Sequence, residues 1–287
     1  MGWKKWLLAL VLLPLSAYAA PRIATSDWTI AETLTAMGHP PVGVGDKRAY
    51  QIWVGHPSLP ERSADAGLRF QPNLERLRQL RPELFIQSSW FTHLKPQFAR
   101  IAPVRELNFV PSKGMDYAHT VQATRQLGQL VGDSAAAEQL IQSTAQALQQ
   151  HRQTLVPYAQ RPLAIIQFID PRHVRIYGNT SLFHVVLQQL GLRNAWTGTS
   201  NEWGFSTIAV SELAKLPANS LLVIVQPHPR QVRPALEKSA VWQRLPYAQS
   251  ANRRVLPPSW SYGALPSMEH FARMLATYVP RQQELAW

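Results

Sequence analysis

The sequence contains no cysteine. No disulfide, thiolate metal site or thiol nucleophile can therefore form. A lipid-anchored exported protein of the bacterial type needs a cysteine at its cleavage site, so that route to a membrane is closed as well. The usual marks of catalysis are missing too: GxSxG, the phosphate-binding P-loop, GxGxxG and HExxH are all absent. The nine histidines include no close pair at ligand spacing, and His39 and His56 each precede Pro. No acid–base pair is nominated either. Charge is sparse, at 16% of residues against 46% hydrophobic, which is the balance of a folded globule.

Long apolar runs are also absent. Leu7–Leu15 is too short to span a bilayer. It follows the basic pair Lys4-Lys5 and precedes the small-x-small site Ala17-Tyr18-Ala19, the layout of a cleaved leader. Cleavage is expected after Ala19, making residues 1–19 a signal peptide and the mature protein free in a periplasm. Loss of Lys4 and Lys5 takes the net charge from +12 to +10. The remaining basic residues are scattered, and pairs such as Arg253-Arg254 are isolated. Nucleic acid is therefore not an expected partner.

What the chain does contain is alternation. Ser134–Val156 carries no Gly or Pro and lies between Gly132 and Pro157. Leu140, Ile141, Thr144, Leu148, His151 and Leu155 fall on one helical face, and Asp133 or Ser134 can cap the first turn. At 1.5 Å per residue this is a rod of roughly 34 Å. It reads as a helix joining two lobes, or as a core helix of a single domain. Strand-like and helical segments alternate on both sides of it, which favours two α/β lobes with mainly parallel sheets. The expected division is 20–132 for the first lobe, 133–156 for the interlobe helix and 157–287 for the second lobe. Tyr50–Pro60 reads as a Pro-bearing loop around Trp53. The stretch carrying Trp196 and Trp203 reads as a loop leading to a short helix at Val210.

The two halves echo each other. Glu75 near the start of a short helix is followed by Pro82 and the strand segment ELFIQ. Glu212 is followed by Pro217 and LLVIV. An acid in the first turn also suits the helix dipole, so the echo has a purely local reading as well.

Aromatic loops are the other positive feature. Trp53-Val54-Gly55, Ser89-Trp90-Phe91, Asn201-Glu202-Trp203-Gly204 and Ser259-Trp260-Ser261-Tyr262-Gly263 come from both halves. Together they suggest an apolar cleft between the lobes. Arg69, between Leu68 and Phe70, is either a polar anchor in that cleft or a solvated loop charge.

With these residues in view, the chain resembles the periplasmic iron(III)-hydroxamate (ferrichrome-type) siderophore-binding proteins of ABC uptake systems. The resemblance rests on Tyr50-Gln51-Ile52-Trp53-Val54, GLRFQPNLERL, Ala99-Arg100-Ile101-Ala102-Pro103, IDPRHVRIYG with SLF, the segment from Asn194 to Gly204, and Trp260-Ser261-Tyr262-Gly263-Ala264. It implies a helical-backbone periplasmic binding protein with a shallow aromatic cleft. It puts the hydroxamate-contacting arginine on Arg69, cleft tryptophans on Trp53, Trp203 and Trp260, and a cleft tyrosine on Tyr262. Phe91, next to Trp90, stands where the family has a tyrosine, and Ser261 where it has a phenylalanine. The resemblance further implies no enzymatic activity and a monomer without its own cofactor, since iron travels inside the siderophore. The partners implied are a ferric hydroxamate and an inner-membrane ABC permease with its cytoplasmic ATPase, docked through Glu75 and Glu212. Another large chelate, cobalamin or haem, is the alternative ligand, and an exported siderophore hydrolase the alternative class.

Overall fold

Each lobe starts from short apolar strands followed by capped helices. The computed structural model describes residues 20–281, so the expected leader at 1–19 lies outside the described residues. Strand β1 (Ile23–Thr25) stops at Ser26, and Asp27 caps helix α1 (Trp28–Ala36). The Asp27 carboxylate accepts the Thr29 and Ile30 N–H groups at 2.8 and 3.4 Å, two of the donors a helix start leaves unpaired. The chain continues through β2 (Gly43–Val44), α2 (Lys47–Trp53), β3 (Ala64–Asp65), α3 (Leu74–Leu80), β4 (Leu84–Gln87), α4 (Lys95–Phe98) and β5 (Val104–Glu106). These strands form one parallel sheet in the order β3-β2-β1-β4-β5. The order reverses at β1. The carboxyl end of β1 is thus a topological switch point, where open α/β sheets hold ligands.

Helix α5 (Tyr117–Val131) begins at the Asp116 cap and ends at Gly132, whose φ of 75° suits glycine. Helix α6 (Ser134–Leu155) follows, capped by Asp133, and is roughly 33 Å long. Its buried face is Ala137, Ile141, Thr144, Leu148 and Leu155. Leu140 packs against the buried clusters of both lobes.

The second lobe comprises β6 (Leu163–Phe168), β7 (His173–Tyr177), α7 (Leu182–Gln189), β8 (Phe205–Ala209), β9 (Leu221–Val225), α8 (Val232–Glu237), α9 (Ala240–Gln243), β10 (Arg253–Leu256) and α10 (Leu265–Tyr278). Its sheet order is β10-β9-β6-β7-β8. Every residue of β6 and β9 is buried. Each fully buried aliphatic or Phe side chain there contributes roughly 1.5–3 kcal/mol. Six of the eight strand pairings across the two sheets are parallel, and only those of β7 with β6 and β8 are antiparallel. Asp170 builds the β6–β7 turn by accepting the Arg172 and His173 N–H groups at 2.6 and 2.8 Å.

Two local expectations change. The Tyr50–Pro60 loop is partly helical, because α2 runs to Trp53 and is anchored by Tyr50, which is buried and donates its hydroxyl to Pro57 O at 2.7 Å. Strand β8 was not expected. It is a half-exposed edge strand with Ser206 and Thr207 in it, so it lacks the apolar signature of the inner strands.

The lobes are tied twice. Helix α10 packs against α6 and also against α1. Glu32 on α1 is fully buried and accepts the Ala264 N–H at 2.6 Å and the Ser267 hydroxyl at 2.5 Å, at the start of α10. A Cβ on the adjacent Gly263 would lie 2.6 Å from Glu32 Oε1, so this approach requires glycine. Thr29 donates to Tyr262 O at 2.6 Å, holding the preceding turn on α1 as well. No helix among the described residues is long and apolar enough to cross a membrane.

Candidate functional site

The loop after β3 is built to present one arginine. Asp65 Oδ1 accepts the Gly67 N–H at 2.9 Å, Gly67 turns the chain at φ 85°, and Gly67 bridges back to Pro72. The enclosed residues are Leu68, Arg69, Phe70 and Gln71. Arg69 turns inward, with its backbone N–H on Asp46 Oδ2 at 2.9 Å and its Nε on Ser26 O at 3.1 Å. The guanidinium carbon lies 4.1 Å from the Trp28 ring centroid and 5.3 Å from that of Phe91. A Cβ at Gly45 would come 3.0 Å from Arg69 Cα, a close approach that favours glycine just after β2. Burial pulls the Arg69 guanidinium below its ordinary value, while the charges of Asp27 and Asp46 oppose that pull. Arginine nonetheless stays protonated, its ordinary value being so high. Among the described residues its side chain donates one hydrogen bond, from Nε, which leaves both Nη groups for a ligand.

This arginine opens onto a cavity of about 490 Å³ lined by Arg69, Phe70, Trp90, Arg175, Trp203, Phe205, Trp260 and Tyr262. Both lobes contribute walls. Trp90 from the first lobe meets Trp203 from the second with centroids 4.8 Å apart. Tyr262 stands edge-on to Trp90, Trp203 and Trp260 at 6.0, 5.8 and 5.2 Å. Trp260 continues the chain of rings to Trp28 at 5.1 Å. Edge-to-face contacts of this kind hold large apolar surfaces in fixed directions.

Of the expected ligand residues, the structure brings Arg69, Trp90, Trp203, Trp260 and Tyr262 to this one cavity. It does not bring Trp53 there. Trp53 ends α2 and lines a neighbouring cavity of about 340 Å³ with Ile52, Gln167, Phe168, Ile169, Arg175, Pro227, His228 and Pro229. Phe91 is withdrawn from it as well, being 1% exposed and stacked behind Phe70 at 5.2 Å. The outward ring is that of Phe70, which is 55% exposed. Sequence reasoning missed Phe70, Trp28, Arg175 and Phe205. Arg175 had a signal: in His173-Val174-Arg175-Ile176-Tyr177 it alternates with apolar residues, so it faces away from their buried side. A third cavity, of about 400 Å³, lies across the Trp90–Trp203 pair and holds Glu202, His119 and Asn108.

No group of three or more His, Cys, Asp or Glu is placed to hold a metal ion among the described residues. What the large cavity offers is two guanidinium groups and six aromatic rings, with no carboxylate in its wall.

Residues 23–259 match the family model described as periplasmic binding protein. The chain belongs to this periplasmic binding protein family. Its members bind substrates and are not enzymes. The chain is 32% identical over 281 residues to the iron(3+)-hydroxamate-binding protein FhuD of Escherichia coli K12, covering 95% of this chain and 94% of that one. It is 28% identical over 243 residues to the Fe(3+) dicitrate-binding periplasmic protein FecB of the same organism, covering 79% and 72%. Among solved structures, it is similar to the siderophore-binding protein FhuD of Vibrio cholerae bound to Fe3+–Desferal. There the TM-score is 0.84 at 25% identity, with 92% of this chain and 99% of that one covered.

In this periplasmic binding protein the two echoed acids differ in their surroundings. Glu75 is exposed in the first turn of α3. Glu212 accepts the Ala209 N–H and pairs with Lys215, both at 3.2 Å, and the backbone bond is the larger cause holding its carboxyl below the usual range.

Proposed function

We propose that this protein captures ferric hydroxamate siderophores in the Arg69 cavity and delivers them to a membrane ABC permease driven by a cytoplasmic ATPase. The observation that carries this reading is the Arg69 guanidinium, held over the Trp28 ring and opening onto aromatic walls from both lobes. Three bidentate hydroxamates saturate Fe(III), so the protein need supply no metal ligand. The ferric core is close to neutral and exposes hydroxamate oxygens. A planar donor fork can bond these oxygens. Aromatic walls take the organic scaffold around them. Support also comes from similarity to proteins whose names and bound ligand concern iron hydroxamates. In this reading residues 1–19 direct export to a periplasm and are removed. Lobes 20–132 and 157–287, joined by 133–156, then act as a monomer.

A ferric trihydroxamate is expected to quench tryptophan fluorescence, because Trp90, Trp203 and Trp260 line the cavity. At a hundred times its Kd it adds about 2.7 kcal/mol of stability, which raises Tm by roughly 5 °C or more. Fluorescence titration and thermal melts with ferric trihydroxamates, haem and cobalamin check this. Tight binding of haem or cobalamin with no response to any hydroxamate would replace the reading.

Permease docking is proposed to use Glu75 and Glu212. The double variant Glu75→Arg with Glu212→Arg is expected to bind siderophore normally yet fail to support siderophore-dependent growth. Pairs at a docking face act within a Debye length of about 8 Å, so reversing both charges converts attraction to repulsion locally. Wild-type transport by a double variant with intact binding would remove these residues from the interface.

A further inference from the structure

The smaller cavity shares one side chain with the Arg69 cavity, that of Arg175. Its apolar walls include Ile52 and Trp53 on one lobe and Phe168, Ile169 and Pro227 on the other, with Gln167 and His228 as further polar lining. Ile52 is 49% exposed and Ile169 39%, so the two sides of this cavity present apolar surface to water. Adjoining exposed apolar residues in a concave setting mark a place where something binds.

Arg175 stands at the neck between the two cavities with little to neutralise it. Its Nη1 donates to Gln167 Oε1 at 3.4 Å, at the long end of hydrogen bonding, and its guanidinium carbon lies 5.0 Å from the Phe205 centroid. Among the described residues no carboxylate forms an ion pair with it. Arg69 differs, since the Asp27 and Asp46 charges act on it. Glu202 lines the third cavity, across the Trp90–Trp203 pair, and neither of the two cavities that share Arg175 has a carboxylate in its wall. A neutral ferric core leaves a half-buried guanidinium in this position without a counter-charge. A carboxylate on the ligand would supply one.

We propose that the smaller cavity is a subsite for a substituent arm of the ferric chelate, and that Arg175 selects arms carrying a carboxylate. The proposal rests on the reading of the Arg69 cavity as the hydroxamate site. The iron core occupies the Arg69 cavity. The arm crosses the neck, lays its methylenes on Ile52, Trp53 and Ile169, and pairs its carboxylate with Arg175.

The test uses three ferric desferrioxamine B probes with one iron core, titrated against the tryptophan fluorescence of the mature protein. One keeps the free terminal ammonium, one is capped as the succinamide and one as the succinate. Succinamide and succinate have the same shape and differ in charge. Wild type is expected to bind the succinate about tenfold or more tighter than the succinamide, with the ammonium weakest. Raising salt should narrow the gap. Arg175→Gln should weaken succinate binding far more than succinamide binding and so bring the two within about twofold of each other, while Arg175→Lys restores part of the preference. Equal wild-type affinity for succinate and succinamide overturns the subsite while leaving the hydroxamate reading intact. Equal weakening of all three probes in Arg175→Gln also overturns it, since Arg175 would then serve the core or the fold. If none of the probes binds wild type, the hydroxamate reading fails and the subsite fails with it.

Discussion

Arg69→Ala is expected to weaken ferric trihydroxamate binding about ten- to a hundredfold. A hydrogen bond from a charged donor in a partly dry site is worth about 1.5–3 kcal/mol, and each 1.4 kcal/mol is a factor of about ten. Arg69→Lys should recover only part of this, for two reasons. An ammonium lacks the planar fork, and it cannot stack on an aromatic face as a guanidinium can over Trp28, where the guanidinium carbon sits 4.1 Å from the ring centroid. Arg69 also fastens its loop to the ends of β1 and β2 through Ser26 O and Asp46. Thermal melts of the unliganded variants therefore belong beside the titrations. A variant with a lowered Tm and unchanged affinity would reduce Arg69 to that fastening role.

The second large effect concerns Glu32. Burial pushes its carboxyl up to about 8, with the Asp27 charge a smaller push in the same direction and the bonds from Ala264 and Ser267 opposing. The folded chain thus holds a proton that the unfolded chain releases near 4.5. Stability must therefore fall as pH rises from about 4.5 to about 8 and level off above. The fall is on the order of a few kcal/mol. Half-buried His270 acts oppositely: its pKa is lowered to about 4, mainly by desolvation, so it adds stability as pH rises from about 4 to 6.5. The Glu32 contribution is cleanest above that range. Glu32→Gln should remove most of the decline between about pH 6.5 and 8, because its amide oxygen can still accept the Ala264 N–H while its NH2 donates to the Ser267 hydroxyl oxygen. Glu32→Ala should cost about 2–5 kcal/mol, since it leaves the Ala264 N–H and the Ser267 hydroxyl buried without an acceptor and opens a void. Urea unfolding at several pH values measures both. A Glu32→Gln protein with the wild-type slope would place the slope elsewhere.

The parts of this molecule that were legible in the sequence are those determined by neighbours along the chain. Buried strands such as Leu221–Val225 announce themselves as apolar runs, and α5 shows its ends through Asp116 and Gly132. Strand β8 does not, because an edge strand paired on one side tolerates Ser206 and Thr207. The site divides in the same way. Arg69 and the cleft aromatics stood out because they sit beside turn residues or in recognisable segments. Trp28 was hidden at the start of a well-capped helix, and its role depends on Trp260, more than two hundred residues away. Trp53 shows that a loop reading fixes a residue's neighbourhood without its direction. Once Lys47–Trp53 is a helix, that direction is toward the smaller cavity.

The double fastening of the lobes has a mechanical consequence. Twisting one lobe against the other would have to shear α10 along α6 and also pull Ala264 and Ser267 off Glu32. A scaffold with two packed struts and a pinned joint resists torsion more than one hung from a single rod. Such a receptor works as a jig. Its grip is shaped before the cargo arrives, and little elastic energy is stored when the cargo seats. Force to loosen the grip must then come from the machine that unloads it.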